Sequence, residues 1–186
     1  MFILDYETIC KTIKEVTNLN IPIKYNCYCS PCFGIGDYAF DIIPNEFIDC
    51  PMFDINDFLE NKHIKFYHIS LPKKINFKKN SYIYNYTKKQ LTNMGIKIKK
   101  FTTEMLEIFI ILHEFGHANQ LFIEFKEDVE KYNSYHIKHN NSYDCKFLNA
   151  ENSFYEHKKA PMEQYADSFA IYYFEEVCKK LNIYLN

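Results

Sequence analysis

Residues 102–121 read TTEMLEIFIILHEFGHANQL and organise the rest of the predicted fold around them. Apolar side chains recur along it at helical spacing, and two histidines continue the same stripe, which consists of Leu106, Phe109, Ile110, His113, His117 and Leu121. Thr102 or Thr103 can serve as the N-cap, and Glu104 in the first turn favours the helix dipole. The sequence therefore predicts a long helix with two imidazoles on its apolar face.

Residues His113-Glu114-Phe115-Gly116-His117 have the spacing H-E-x-x-H. Residues four apart lie one above the other on a helix, so both imidazoles can reach one metal ion. Glu114 projects from the edge of that face, where it can act as a general base on water without ligating the metal. Gly116 allows another backbone to approach the helix closely. Such a string arises by chance on the order of a few per cent of the time, so a third ligand is needed to support the interpretation.

A second helix supplies that ligand. Pro161 suits the first turn of a helix, along one face of which lie Glu163, Asp167, Ala170, Phe174, Val177 and Leu181. A catalytic zinc usually has three protein ligands, and Glu163 is the candidate for the third. Asp167 is placed to accept the second ring N–H of a ligating histidine. An ordinary solvated acidic pair is the alternative, but the surrounding apolar residues favour an inward-facing pair.

The pair HEFGH at 113–117 and E-x-x-A-D-x-F-A at 163–170 resembles the gluzincin metallopeptidases, and among them the ImmA/IrrE group. The order of elements is also similar to that group. The resemblance implies an α+β, zincin-like fold, with a small antiparallel or mixed sheet packed on the motif helix and a C-terminal ligand helix. It implies Zn²⁺ bound by His113, His117 and Glu163, with Glu114 as the base and Asp167 as a support. The implied substrate is a regulatory protein of the repressor or antitoxin kind.

The remaining elements follow from local patterns. We expect a helix from Asp5 to about Leu19, a short strand over 21–25, and a turn-rich loop that includes Gly34 and Gly36. Residues 37–60 read as irregular, with a short helix at 54–60. Alternation predicts strands near 64–69, 82–86 and 96–98, forming a sheet with Lys and Tyr on one face. Residues 124–158 read as a long connection with one short helix. The whole chain, 1–186, is expected to form a single domain.

Two sets of polar residues are left without a certain role. Amide hydrolysis needs a donor for the developing oxyanion, and the candidates are His136, His139, Tyr155, His157 and Tyr165. Cys27, Cys29 and Cys32 could bind a second, structural zinc, with Cys10 or Cys50 as the fourth ligand. Well-separated pairs are more usual for such sites, so reduced loop thiols are the favoured interpretation.

Charge is strongly segregated along the chain. Residues 61–103 contain 11 Lys and no acidic residue, whereas the net charge of the chain is −2. A non-catalytic, zinc-stabilised protein that binds nucleic acid or an acidic partner through this Lys/Tyr-rich segment is therefore the alternative function. A solvated basic face is the simpler explanation. The N-terminus has no signal-peptide pattern and no segment is apolar enough for a membrane span, so we expect a cytoplasmic protein without membrane contact.

Overall fold

A computed structural model describes residues 5–27, 31–39, 63–75, 81–140 and 150–185 of the chain. Within these ranges the fold is mixed α and β, as expected, with six helices and three strands. The helices are α1 (Tyr6–Thr17), α2 (Tyr82–Asn93), α3 (Thr103–Ile123), α4 (Val129–Asn140), α5 (Ala150–His157) and α6 (Pro161–Lys180). The strands are β1 (Ile23–Cys27), β2 (Cys32–Ala39) and β3 (His63–Pro72).

The three strands form a small mixed sheet in the order β1-β3-β2. β1 runs parallel to β3, with Ile23 opposite Ile69, and β2 runs antiparallel to β3, with Cys32 opposite Ser70. β2 is therefore an edge strand among the described residues. Its first residues approach α3, which places one end of the sheet beside the two histidines of that helix.

The helix that carries the histidines is capped as its sequence predicts. The hydroxyl of Thr102 accepts a hydrogen bond from the backbone N–H of Met105 at 3.3 Å, which satisfies one free donor of the first turn. α3 is buried over most of its length and packs mainly against α6. At the crossing, a Cβ on Gly116 would lie 2.7 Å from Cα of Ala166. The missing side chain is what lets the two helices meet there.

The main core lies between α1, α3, α6 and the inner face of the sheet. Ile9, Ile13, Leu112, Phe174 and Ile69 are all fully buried in it. A smaller cluster forms beside it, where the end of α3 meets α4, and consists of Leu121, Phe125, Val129 and Tyr132. The second cluster fixes α4 next to the histidine-bearing face of α3.

Several elements differ from the sequence-based expectation. Residues 82–86 are not a strand but the first turns of α2, because Ser81 caps the helix and the buried side chains Tyr84, Thr87 and Leu91 recur at helical spacing. Residues 96–98 lie in a loop. Directly after it, the backbone N–H of Lys99 donates a hydrogen bond to the carbonyl of Leu185 at 2.7 Å. The predicted Lys/Tyr sheet face is therefore wrong over 82–98, and only the strand near 64–69 is confirmed, within β3.

The prediction of a turn-rich loop that includes Gly34 and Gly36 is wrong too. Gly34 and Gly36 lie within β2 and pair with His68 and Phe66 across the sheet. The connection over 124–158 contains two described helices, α4 and α5, in place of one. The predicted short helix at 54–60 lies outside the described residues. No helix in the described part of the chain is long and apolar enough to cross a membrane.

Candidate metal centre

α3 and α6 bring two histidines and one glutamate together at their crossing. One ligand atom from each of His113, His117 and Glu163 lies within 4.8 Å of the other two. The Nε2 atoms of the two histidines are 3.1 Å apart. Nε2 of His113 lies 3.2 Å from Oε2 of Glu163, and Nε2 of His117 lies 3.3 Å from Oε1. All three side chains are buried, so this group could hold a metal ion.

Asp167 lies one turn after Glu163 and contacts the outer nitrogen of one imidazole. Its Oδ1 is 2.8 Å from Nδ1 of His113, and its Oδ2 accepts a hydrogen bond from the hydroxyl of Tyr86 at 2.8 Å. With Nδ1–H facing a carboxylate, the lone pair of Nε2 is directed towards Glu163 and His117. Asp167 thus fixes the tautomer that a metal ligand needs.

The buried charges shift the pKa values of the site. Burial and Lys158 oppose the imidazolium of His113, but hydrogen bonds to the two carboxylates outweigh them and raise the pKa of His113 to about 9. Without a metal ion Nε2 therefore carries a proton near pH 7, and a metal ion bound there would displace it. Burial opposes ionisation of Glu163, yet hydrogen bonds from three histidines hold the pKa of Glu163 far below its usual range. Burial opposes ionisation of Asp167 as well, but its hydrogen bond with His113 and the nearby Lys158 lower the pKa of Asp167. Glu163 and Asp167 therefore both remain ionised, which is the state that attracts a cation.

Lys158 lies beside Glu163 and Asp167 in the same site. The sequence did not identify it as a site residue. Its Nζ is 2.9 Å from Oε2 of Glu163 and 3.1 Å from Oδ1 of Asp167. The side chain is 12 % exposed. Burial disfavours its charged form, but the two carboxylates outweigh burial and raise the pKa of Lys158. Its neighbour Lys159 pairs at the surface with Glu156, so nothing in the local sequence distinguishes the buried lysine from the exposed one.

Glu114 is buried beside the three candidate ligands but is not one of the group. Its Oε2 accepts the backbone N–H of Phe33 in β2 at 2.7 Å. The edge strand therefore holds one carboxylate oxygen of the motif helix. Glu114 also lines a cavity in front of the candidate ligands.

Neither protein-family models, nor curated proteins, nor solved structures gave a match. We therefore base the proposed function on the geometry of the His113, His117 and Glu163 group and on the resemblance of the two helix motifs.

A cavity of about 790 Å³ opens in front of the candidate metal ligands. Its wall includes His113, His117, Glu163, Glu114 and Phe33. Its other lining residues come mostly from α2, α4 and α5. One side of the cavity is therefore formed by the two helices within residues 124–158, where one short helix was expected.

Two of the five candidate oxyanion donors line this cavity, namely His136 and His157. Nε2 of His157 lies 3.1 Å from Oε1 of Glu163, and that side chain is half exposed. Nε2 of His136 is buried and has no hydrogen-bond partner among the described residues. Burial, followed by the nearby His117, lowers the pKa of His136 to about 4, so this imidazole is neutral near pH 7.

The other three candidates lie away from the cavity wall. The hydroxyl of Tyr165 accepts a hydrogen bond from Asn119 at 2.7 Å, and the ring of His139 packs on Tyr135 with centroids 4.4 Å apart. The ring of Tyr155 contacts Tyr86 and is partly exposed. Sequence position alone could not separate these residues from His136 and His157.

The cysteine cluster receives no support within the described residues. The metal-binding group there contains no cysteine. Cys10 is buried in the core, and Cys27 and Cys32 lie in β1 and β2 without a disulfide to another described cysteine. Cys29 and Cys50 lie outside the described residues.

Proposed function

We propose that the protein is a zinc-dependent endopeptidase that acts on a protein in the cytosol. One observation carries this proposal: three candidate ligands converge at one point of a cavity wall, with the carboxylate of Glu114 beside them. Two imidazoles and a carboxylate form a donor set that suits zinc and leaves a coordination position open. The resemblance of the two helix motifs to the gluzincins agrees with this choice.

The donor atoms and spacing of the three candidate ligands suit a zinc ion. His113, His117 and Glu163 would hold it, and Asp167 would support His113 through Nδ1. When bound, Zn²⁺ supplies a Lewis acid that polarises a carbonyl group and lowers the pKa of water. Glu114 then takes a proton from the attacking water and passes it to the leaving amine, which is the role of a general base and acid.

The edge of the sheet gives an extended peptide a place to bind. Phe33, at the start of β2, lines the cavity and donates its backbone N–H to Glu114, whereas no described strand pairs with the outer edge of β2 beyond it. A peptide can add to such an edge through backbone hydrogen bonds. Its scissile bond would then lie beside Glu114.

His136 is the oxyanion donor that the geometry favours. A neutral imidazole in a buried position can donate one N–H to an oxygen that becomes negative during the reaction. The ring of His136 stacks on Tyr132, with centroids 4.2 Å apart, which holds it against the cavity. His157 already contacts Glu163 and is the second choice.

The substrate class comes from the resemblance to the ImmA/IrrE group, so a repressor- or antitoxin-like protein is proposed. The test compares cells that express the wild type with cells that express Glu114→Gln, by sequencing of protein N-termini. We expect one or a few new N-termini with the wild type and none with the variant, while both purified proteins retain zinc. Wild-type cleavage by Glu114→Gln would contradict the proposed role of Glu114.

A second candidate function rests on the exposed lysines of residues 61–103. Seven of them have described side chains, all are exposed, and none forms a salt bridge within the described part of the chain: Lys73, Lys74, Lys88, Lys89, Lys97, Lys99 and Lys100. Phosphate groups of a nucleic acid, or an acidic protein, would neutralise them. Tyr84 is buried and its hydroxyl donates to the carbonyl of Phe101, so it cannot stack on a base. Binding to single-stranded DNA that weakens steeply with salt, without proteolysis of any protein, would favour this candidate.

A further inference from the structure

We propose that Lys158 is a positioning residue that restricts Glu163 to a single metal-binding oxygen and balances the third carboxylate of the site. The inference rests on the proposed function, because it assumes that His113, His117 and Glu163 bind a metal ion. It assigns a role to a residue that is not itself a ligand and that neither helix motif contains.

The hydrogen bonds of Lys158 divide the two oxygens of Glu163. Oε2 lies 2.9 Å from Nζ of Lys158 and 3.2 Å from Nε2 of His113, whereas Oε1 lies near His117 and His157 and has no contact with Lys158 among those described. A carboxylate oxygen that already accepts from a cation is a poorer donor to a second cation. Oε1 is therefore the oxygen left for the metal, and the coordination position that a second oxygen would take stays open.

Lys158 does not occupy the place of the metal. Its Nζ is 3.3 Å from Nε2 and 3.4 Å from Nδ1 of His113. A group on the lone-pair axis of Nε2 would lie much farther from Nδ1 than from Nε2. The near-equal distances place the ammonium beside the imidazole, so the lone pair of Nε2 stays free for a ligand bond.

The charges of the site also require a second cation. Glu114, Glu163 and Asp167 are all buried within the same region. A divalent metal ion balances two of these carboxylates and leaves one negative charge uncompensated in a site of low polarity, which is costly. The ammonium of Lys158 supplies the missing charge, since both its salt bridges are to these carboxylates.

Two substitutions separate the hydrogen bond of Lys158 from its charge. Lys158→Met removes both, whereas Lys158→Gln removes the charge and keeps an N–H donor for Oε2. Lys159→Met is the matched control, because Lys159 is exposed and pairs only with Glu156 at the surface. Each purified protein is stripped of metal, loaded with Co²⁺ and studied by its visible absorption, which weakens several-fold when a fifth ligand is added to a four-coordinate ion. Zn²⁺ affinity is measured in parallel by competition with a chromogenic chelator.

The proposal predicts three different outcomes for these variants. Lys158→Met shows the weaker absorption of a five-coordinate ion and binds Zn²⁺ roughly tenfold more tightly, because a neighbouring positive charge has been removed. Lys158→Gln binds Zn²⁺ more tightly by a similar factor but keeps the wild-type absorption. Lys159→Met behaves as the wild type in both measurements.

Wild-type spectrum and affinity in a folded Lys158→Met would overturn the role of Lys158 while leaving the metal site intact. If Lys158→Met does not fold, the test relies on Lys158→Gln. Unchanged Zn²⁺ affinity in Lys158→Gln would then overturn the proposal that the charge of Lys158 acts on the metal site. A wild-type protein that binds neither Co²⁺ nor Zn²⁺ would instead contradict the metal site itself. Failure of the proposed function and failure of this inference therefore give different results.

Discussion

The backbone N–H of Phe33 donates a hydrogen bond to Oε2 of Glu114 at 2.7 Å, so the edge strand β2 holds the carboxylate of the motif helix in place. A carboxylate on a helix edge has several rotamers of similar energy, and one fixed oxygen reduces this freedom. The sheet thus serves two purposes in the proposed enzyme, since it orients the base and offers its edge to a peptide.

Removal of this backbone donor should lower the proposed activity without loss of metal. Phe33→Pro lacks the N–H, and an edge strand tolerates proline because its outer N–H groups are not needed by the sheet. We expect kcat to fall by about tenfold, which corresponds to about 1.4 kcal/mol. Phe33→Leu keeps the N–H and is the control. Equal kcat values for the two variants, with both folded by circular dichroism, would show that the hydrogen bond does not matter.

Asp167→Asn should weaken metal binding. The amide cannot raise the basicity of the His113 imidazole as the carboxylate does through its contact at 2.8 Å. Loss of such a partner costs about 10- to 100-fold in metal affinity. The measurement is a Zn²⁺ competition titration, with Glu175→Gln as the control, because Glu175 is an exposed acid on the same helix. An affinity within twofold of the control would contradict the support role of Asp167.

Gly116→Ala should separate the two ligand helices. The new Cβ would lie 2.7 Å from Cα and 2.9 Å from the carbonyl oxygen of Ala166, which are backbone atoms that cannot move alone. We expect a loss of about 3 kcal/mol in the free energy of unfolding, measured with urea. The same variant should bind Zn²⁺ more weakly.

Gly95→Ala is the comparison for that variant. Gly95 has φ +86° and open space around it, so alanine there adds backbone strain of about 1 kcal/mol but no steric contact. Its metal affinity should equal that of the wild type. If both alanine variants lose stability equally and keep the metal, close packing at Gly116 does not position the site.

Glu107 should make the protein less stable as the pH rises from about 4.5 to 7. Burial, with help from the nearby Glu104, raises the pKa of Glu107 from 4.5 to about 7. The folded state then binds more protons than the unfolded state between these values, so stability falls with rising pH. Because the carboxyl group is only half-buried, solvent screening limits the effect to about 1 kcal/mol.

The matching experiment is urea unfolding of Glu107→Gln at pH 5 and pH 8. We expect the variant to be more stable than the wild type at pH 8 and similar to it at pH 5. Glu176→Gln removes the same charge from an exposed position of α6 and should change neither value much. A Glu107→Gln variant that is less stable than the wild type at pH 8 would show that the carboxylate is favourably paired.

The helices α1, α3 and α6 could be predicted because their apolar residues repeat over several turns and their starts carry clear signals. Asp5 and Thr102 cap α1 and α3, and Pro161 opens α6. The same regularity placed the two histidines and Glu163 on facing surfaces. Short segments repeat over too few residues for their apolar pattern to distinguish a helix from a strand. Residues 82–86 alternate in sequence as a strand does, and only the cap at Ser81 and the burial of Leu91 distinguish a helix.

Other features depend on distant parts of the chain. Gly34 and Gly36 resemble turn residues by themselves, but pairing along β3 extends them into a strand. Lys158 has the same local surroundings in sequence as Lys159, and only its salt bridge with Glu163 on α6 distinguishes it from Lys159, which pairs with Glu156 at the surface. The partner of Glu114 lies 81 residues away on β2, which no local pattern can indicate.

We propose that His113, His117 and Glu163 bind a zinc ion that Glu114 does not ligate. The most direct measurement is the zinc content per chain, by elemental mass spectrometry after dialysis, of the wild type, Glu163→Gln and Glu114→Gln. The wild type and Glu114→Gln should each retain one equivalent of zinc, and Glu163→Gln should lose most of it. Equal zinc in all three proteins, or none in the wild type, would contradict the assignment.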